Sequence, residues 1–500
     1  MDADLIKRDL ALLLEYAKIH LGLDEEDAVY KGNLLLKELR LDAPYAGPLD
    51  LRGIAALAVP DSLLVNFAPY FVENLGLEQG EAEREVVYIL GLLTPAPSKV
   101  NETFFALADI SPEMATDYLY DLCVKNQYVY KSKIDRNLLF PAQYEDGPAL
   151  SISINLSKPE KNNADIAKAL KARASGYPAC LLCHENLGYS GRDNHPAREN
   201  LRLIPLQLGQ QKWYLQYSPY GYFAEHCILL SSRHERMSVD KDNLARLFEF
   251  VDLFPHYFIG SNSDLPIVGG SILNHEHFQG GKAELPIMKA PLRKSIPQRK
   301  FPHTKLGILD FYDTALLLEG EDRQEMLDFA SYLLTGWKAY DDPGRQIISA
   351  DEDGQHSTLT PILRKREGAY QLYLILRNNR CDAAYPDGIF HAHPEYAHIK
   401  HEGIGLIEAA GLFILPARLL RQGQEISDIV RDGTPKSEYL KADPGLDIFD
   451  DMVAKMKEKG WSANQYYAYV CRHILRNVAV YKDDAQGAAG LDAFLRSLEL

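Results

Sequence analysis

Two histidines and a glutamine stand at alternate positions in Asn274-His275-Glu276-His277-Phe278-Gln279. On a strand, alternate residues share a face, so His275, His277 and Gln279 line up while Glu276 and Phe278 face the other way. Two imidazoles and an amide are a poor choice for a hydrophobic sheet face. They suit nucleophilic chemistry. A neutral imidazole is a good nucleophile, and a reference pKa of about 6.5 leaves it mostly unprotonated at neutral pH. A backbone carbonyl is the expected partner for the other ring nitrogen of His277. Gly269-Gly270 and Gly280-Gly281 bracket the stretch and are expected to let a ligand approach the backbone. The plain alternative is a pair of surface histidines on an edge strand.

Cys180-Leu181-Leu182-Cys183 is the second constellation. A redox pair of this spacing wants a βαβ context, and none is evident. Half a zinc site needs two more ligands. His234 and His275 are candidates on strands of the same region, and His184 and His195 are rivals on spacing alone. Two thiolates and two imidazoles make a closed tetrahedral site with no open position, hence a structural one. Two buried thiols without metal are the plain alternative. Cys123, Cys227, Cys381 and Cys471 are scattered and read as small buried hydrophobes.

Strands must carry these residues. Lys212–Gln216, His226–Ser231 and Ser271–Gln279 read as strands, and Asp240–Phe254 reads as a helix with Leu244, Leu247, Phe248, Val251 and Phe254 on one face. Strands with few helices between them predict an antiparallel sheet with helices on one side, an α+β fold. Residues 1–165 read as mainly helical: Ile6, Leu10, Leu13, Ala17 and Leu21 repeat at helical spacing before Gly22. Ser111-Pro112-Glu113 opens another helix, with Leu119 and Leu122 towards a core. The pattern divides the chain into a helical region 1–165, a catalytic domain 166–305, a second related domain 306–435 and C-terminal helices 436–500. The second domain weakly echoes the first. Leu372–Arg380 resembles Cys227–His234, and each is followed by a His-x-His, His391/His393 in the second copy. That copy has no Cys-x-x-Cys, and Glu395 replaces Gln279.

The chain has 500 residues, 46% hydrophobic and 25% charged, with a formal charge of −16. It can bury a sizeable core, and its acidity speaks against nucleic acid and acidic membrane surfaces as partners. Lys282, Lys289, Arg293, Lys294, Arg299, Lys300 and Lys305 form a basic stretch. It is read both as a local field for an anionic substrate and as a solvated rim. No secretory signal is evident, and the apolar segment Gly403–Leu420 is broken by Glu408, Pro416 and Arg418, so a cytoplasmic protein is expected.

Tyr177-Pro-Ala-Cys-Leu-Leu-Cys183, Tyr217-Ser-Pro-Tyr220, Glu225-His-Cys-Ile-Leu229, His275-Glu-His-Phe-Gln279 and Asp387-Gly-Ile-Phe-His-Ala-His-Pro-Glu-Tyr396 together resemble the longer bacterial (class II) branch of the galactose-1-phosphate uridylyltransferases. These belong to the histidine-triad-like superfamily. The resemblance covers most of the chain and implies two related histidine-triad-like domains behind the helical region. It implies transfer of UMP from UDP-glucose to galactose 1-phosphate, giving UDP-galactose and glucose 1-phosphate by ping-pong chemistry. Carried over by position, the nucleophile is His277 and Gln279 hydrogen-bonds the phosphate under attack. One structural zinc is held by Cys180, Cys183, His234 and His275. Asn262 and Ser271 fall where the better-known branch contacts nucleotide phosphates. The segment Glu408–Arg418 matches a region that completes a neighbour's site, which makes Glu408 a substrate-binding residue and a homodimer plausible. There are departures. The better-known branch has Pro where this chain has Glu276. Its second metal site uses a further His where this chain has Leu376–Asn379, so no second metal is expected and His391/His393 are expected to be structural or sugar-facing. Two other readings use the same residues: a dinucleoside-polyphosphate phosphorylase or hydrolase, and a zinc-stapled nucleotide-binding protein without turnover.

Overall fold

The computed structural model describes residues 1–157 and 176–500, so the expected boundary at 165/166 lies outside the described residues. The chain divides into two compact units, the first made of Met1–Arg136, Ser157–Gly221 and Glu225–His234, the second of Asn137–Leu156, Tyr222–Ala224 and Glu235–Leu500.

The first unit opens with helices. Ala3–His20 is capped by Asp2, whose side chain accepts from the Asp4 N–H, and it buries Ile6, Leu10, Leu13 and Ala17. Gly22 follows at φ +67°, a left-handed position that glycine takes without strain. Pro112–Lys125 starts after Ser111 and buries Leu119 and Leu122, although the Ser111 hydroxyl makes no capping bond. The fixed φ of Pro112 is what pre-sets that first turn. The helices meet a three-stranded antiparallel meander: β3 (Ile204–Leu208), β4 (Gln211–Tyr217) and β5 (Cys227–Ser231). Arg202, buried just before β3, donates to the carbonyls of Pro95, Glu199, Leu201, Gly91 and Thr94 and so ties a helix end to the sheet.

The second unit holds two strands in a region read as helical. β1 (Leu138–Tyr144) and β2 (Gly147–Asn155) form an antiparallel hairpin. Pro141 sits on β1, which pairs on one side only, where a missing N–H is tolerated. β2 also pairs in parallel with β15 (Leu412–Pro416), Ser151 opposite Leu412. The former apolar segment thus becomes a buried strand, and among the described residues no helix is long and apolar enough to cross a membrane. Ile152, Ile154, Phe413 and Leu415 pack with Tyr467, Val470 and Ile474 of helix Ala463–Val478 in one core.

The rest of this unit is an antiparallel run. It contains β6 (Phe258–Gly260), β7 (His277–Gly281), β8 (Leu292–Ile296), β9 (Thr304–Leu309) and β10 (Ala315–Gly320). A small ladder of β11 (Ala350–Asp351) and β12 (Gly354–Gln355) stands apart, and β13 (Ser357–Arg366) and β14 (Ala369–Asn378) complete the set. The run has the order β7-β6-β13-β14-β10-β9-β8. Helices Lys241–Leu253 and Arg323–Lys338 pack on β13. The first buries Leu244, Leu247, Phe248 and Val251, as the 3.6-residue period requires. Helices Asp450–Lys459, Ala463–Val478 and Ala485–Ser497 follow, matching the helical reading of the C-terminal part.

Four of the seven bases in the basic stretch pair with acids close by. β8 is exposed along its length. Arg293 pairs with Asp310 and Asp483, Lys294 with Asp492, Lys289 with Glu284 and Lys305 with Glu319. Charges matched to local acids leave little field for a distant substrate.

Candidate active site

The Cys180–Cys183 turn is held from beneath. The Leu182 N–H donates to Cys180 Sγ at 3.3 Å, and the two sulfurs are 3.6 Å apart. Asn186, 2% exposed, donates its amide to the carbonyls of both cysteines, at 2.9 and 2.7 Å. With both amide hydrogens spent, its Oδ1 accepts from His195 Nε2 at 2.6 Å. Burial and neighbouring Arg192 and Arg198 push His195 down to about 4, so this histidine is a neutral brace and no ligand. His184 stacks on the Tyr214 ring and also stands aside. His234 Nδ1 lies 3.2 Å from Cys183 Sγ. Cys180, Cys183, His234 and His275 present ligand atoms all within 4.8 Å of one another. Tetrahedral zinc would set sulfurs about 3.8 Å apart and a sulfur about 3.6 Å from a nitrogen. The donor set and its spacing therefore fit a metal. Burial pushes the bare Cys183 thiol up to about 12, a cost that a divalent cation would offset.

The strand carrying the histidines is shorter than expected. β7 begins only at His277, and residues 271–276 form irregular backbone. The reason is that 273–276 is paired elsewhere: the Met237 N–H donates to Leu273 O, and the Glu276 N–H to Glu235 O at 2.8 Å. His275 is 1% exposed and His277 6%. His277 Nδ1 lies 2.8 Å from the His275 carbonyl oxygen, so Nδ1 carries the proton and Nε2 a lone pair. Burial pushes His277 down to about 4, which keeps the ring neutral. Gln279, half-buried on the same strand, is paired across to Gly260 of β6. Glu276 points into the protein instead, and burial pushes its carboxyl up to about 8.

The flanking glycines admit protein atoms. A Cβ on Gly269 would meet Ser263 O at 2.5 Å, one on Gly270 the Asn262 amide at 2.7 Å, and one on Gly280 Phe258 O at 2.3 Å. Close packing against backbone at Gly269 and Gly280, and against the Asn262 side chain at Gly270, accounts for these three.

Asn262 is 3% exposed and its Oδ1 accepts from the Leu406 N–H at 2.8 Å, so it joins the 262–270 loop to the segment leading to β15. Ser271 is exposed. Glu408 accepts from Lys400 Nζ at 3.0 Å, and that lysine also reaches Glu402 and Ile414 O. Lys400 is 4% exposed, and its position eight residues from Glu408 in a loop gave no periodic signal. His391 Nε2 accepts from the Ile404 N–H, whereas His393 Nε2 lies 3.1 Å from Ile389 O and its ring stacks on Tyr385. At Leu376–Asn379 the sequence shows no histidine. The structure places the fully buried Arg377 there, donating to Ile404 O at 2.8 Å.

Comparison with known proteins decides what this arrangement belongs to. The models for the N-terminal and C-terminal domains of galactose-1-phosphate uridyl transferase match residues 54–236 and 249–430. The chain belongs to the galactose-1-phosphate uridylyltransferase family. Its similarity to that family runs end to end. Galactose-1-phosphate uridylyltransferase of Clostridium acetobutylicum is 37% identical over 99% of this chain and 100% of its own. The Halalkalibacterium halodurans protein of the same name is 37% identical over all of both chains. That of Caldanaerobacter subterraneus is 39% identical over 97% of this chain and 96% of its own. Among solved structures, yeast Ap4A phosphorylase Apa2 overlays on 61% of this chain and 89% of its own at 12% identity and a TM-score of 0.38. The matched ranges span Cys180, Cys183, His234, His275, His277 and Gln279. The full-length relatives also cover the helices before residue 54.

Proposed function

We propose that the protein moves UMP from UDP-glucose to galactose 1-phosphate through a uridylyl-histidine on His277. The observation that carries this reading is the buried, neutral His277 ring with Nδ1 bound to His275 O, which leaves Nε2 as a lone pair. In the first half-reaction Nε2 attacks the α-phosphorus. An N–P bond forms, the bond from phosphorus to the bridging oxygen breaks, and glucose 1-phosphate leaves with that oxygen. Its phosphate is a stable anion and needs no strong general acid. In the second half-reaction a phosphate oxygen of galactose 1-phosphate attacks the same phosphorus. The N–P bond breaks, UDP-galactose departs and His277 is restored.

Gln279 would donate to the equatorial oxygens that gain charge. Asn262 and the exposed Ser271 hydroxyl would offer further donors to a phosphate. Glu408, held by Lys400, offers a carboxylate to sugar hydroxyls. Cys180, Cys183, His234 and His275 would hold one zinc in a closed, structural site. A cytoplasmic homodimer is part of the same proposal.

The test is exchange. Incubated with UDP-glucose and labelled glucose 1-phosphate, and no other sugar phosphate, the protein should move label into UDP-glucose. Mass spectrometry should find one uridylyl group on His277. No exchange and no adduct from well-folded protein would sink the reading.

A further inference from the structure

The tautomer of His277 depends on the carbonyl of His275, and that carbonyl is one end of a peptide plane. The other end is the Glu276 N–H, because the C=O of one residue and the N–H of the next belong to the same rigid unit. The Glu276 N–H donates to Glu235 O at 2.8 Å. Whatever fixes residue 276 therefore aims the acceptor for His277 Nδ1.

The side chain of Glu276 is itself fixed. It is 3% exposed. Oε2 accepts from the Ser238 N–H at 3.0 Å and Oε1 from Asn243 Nδ2 at 2.6 Å. Asn243 is held in turn. Its backbone N–H donates to Asp240 Oδ1 at 2.9 Å, and its side-chain oxygen accepts from Arg246. Asp240 also accepts from the Ser238 hydroxyl at 2.9 Å. Asp240 caps helix Lys241–Leu253 and Asn243 lies in its first turn, and the helix is seated by Leu244, Leu247, Phe248 and Val251. A buried carboxyl group with two donors on a packed helix start is a firm anchor.

We propose that Glu276 is a positioning residue for the nucleophile, pinning the 275–276 peptide plane to the start of helix Lys241–Leu253 so that His275 O holds His277 in its reactive tautomer and orientation. This rests on the reading of His277 as the attacking group. Glu276 faces away from that ring and acts only through the backbone.

Single-turnover formation of the uridylyl adduct from UDP-glucose tests it, with zinc content and melting temperature measured on the same protein. In Glu276→Ala the maximal rate of adduct formation should fall about 10- to 100-fold, the range expected of small misplacements. The UDP-glucose concentration giving half-maximal rate and the zinc content should match wild type. Asn243→Ala should fall in the same direction, and the double variant no further than Glu276→Ala alone. Glu276→Gln keeps one acceptor and should recover much of the rate. A wild-type rate in Glu276→Ala overturns the proposal, and so does loss of zinc in step with rate. If the alanine variant folds poorly, a wild-type rate in Asn243→Ala overturns it instead. An adduct on another residue would overturn the reading of His277 instead.

Discussion

His277 Nδ1 and the carbonyl oxygen of His275 are 2.8 Å apart, so the two histidines of the motif are joined through backbone as well as by sequence. If His275 is committed to metal, His277 is the free imidazole of the pair. His277→Gly should abolish label exchange between glucose 1-phosphate and UDP-glucose, yet still turn over a pre-formed uridylyl-imidazole, because the binding groups remain. The wild-type adduct should be acid-labile and base-stable, as a phosphoramidate is. Exchange near the wild-type rate in the glycine variant would place the nucleophile elsewhere.

The metal site should behave as a structural staple. Metal analysis should find one zinc per chain. Cys183→Ala should lose it and melt at a lower temperature, with a larger effect on stability than on the chemical step. Asn186→Ala should weaken zinc retention by about 10- to 100-fold in affinity, since Asn186 holds both cysteine carbonyls. Full stability in metal-free protein would count against the staple.

His393 should be dispensable for the covalent step. Its Nε2 is engaged with Ile389 O and its ring with Tyr385. His393→Asn should still form the uridylyl adduct, measured by intact mass after incubation with UDP-glucose. Complete loss in a folded variant would give this half a role in the chemistry.

His391 sets a pH dependence. Burial first, then Arg377, pushes it down to about 4, while Asp387 opposes and Lys400 and His393 add to the depression. The folded chain refuses a proton that the unfolded chain accepts below about 6.5. The stability this histidine contributes is therefore complete above pH 6.5 and is lost as pH falls towards 4. In denaturant titrations, wild type should lose on the order of 3 kcal/mol relative to His391→Asn between pH 7 and pH 4. Parallel curves for the two proteins would contradict the assignment.

What could be read from sequence followed local rules. Helix Lys241–Leu253 obeys the 3.6-residue period and starts at a capping Asp240, and Cys180 and Cys183 announce themselves by type and spacing. The strand β7 was overextended because alternation cannot reveal that 273–276 is claimed by 235–237. Asn186 and His195 were missed as the brace of the cysteine turn, since a single buried amide leaves no pattern. The hairpin β1–β2 was hidden too. Its partner β15 lies far along the chain, and no local window contains both.

That parallel pairing has a consequence for how the protein is made. Ser151 lies opposite Leu412. At roughly 5–20 residues per second of synthesis, β2 waits some 10–50 s for β15 to be translated. Throughout that time the hairpin presents an unpaired hydrogen-bonding edge on the ribosome-bound chain. The nascent protein should therefore depend on chaperones more than its finished surface suggests, and truncation before residue 412 should yield aggregation rather than a smaller soluble fragment.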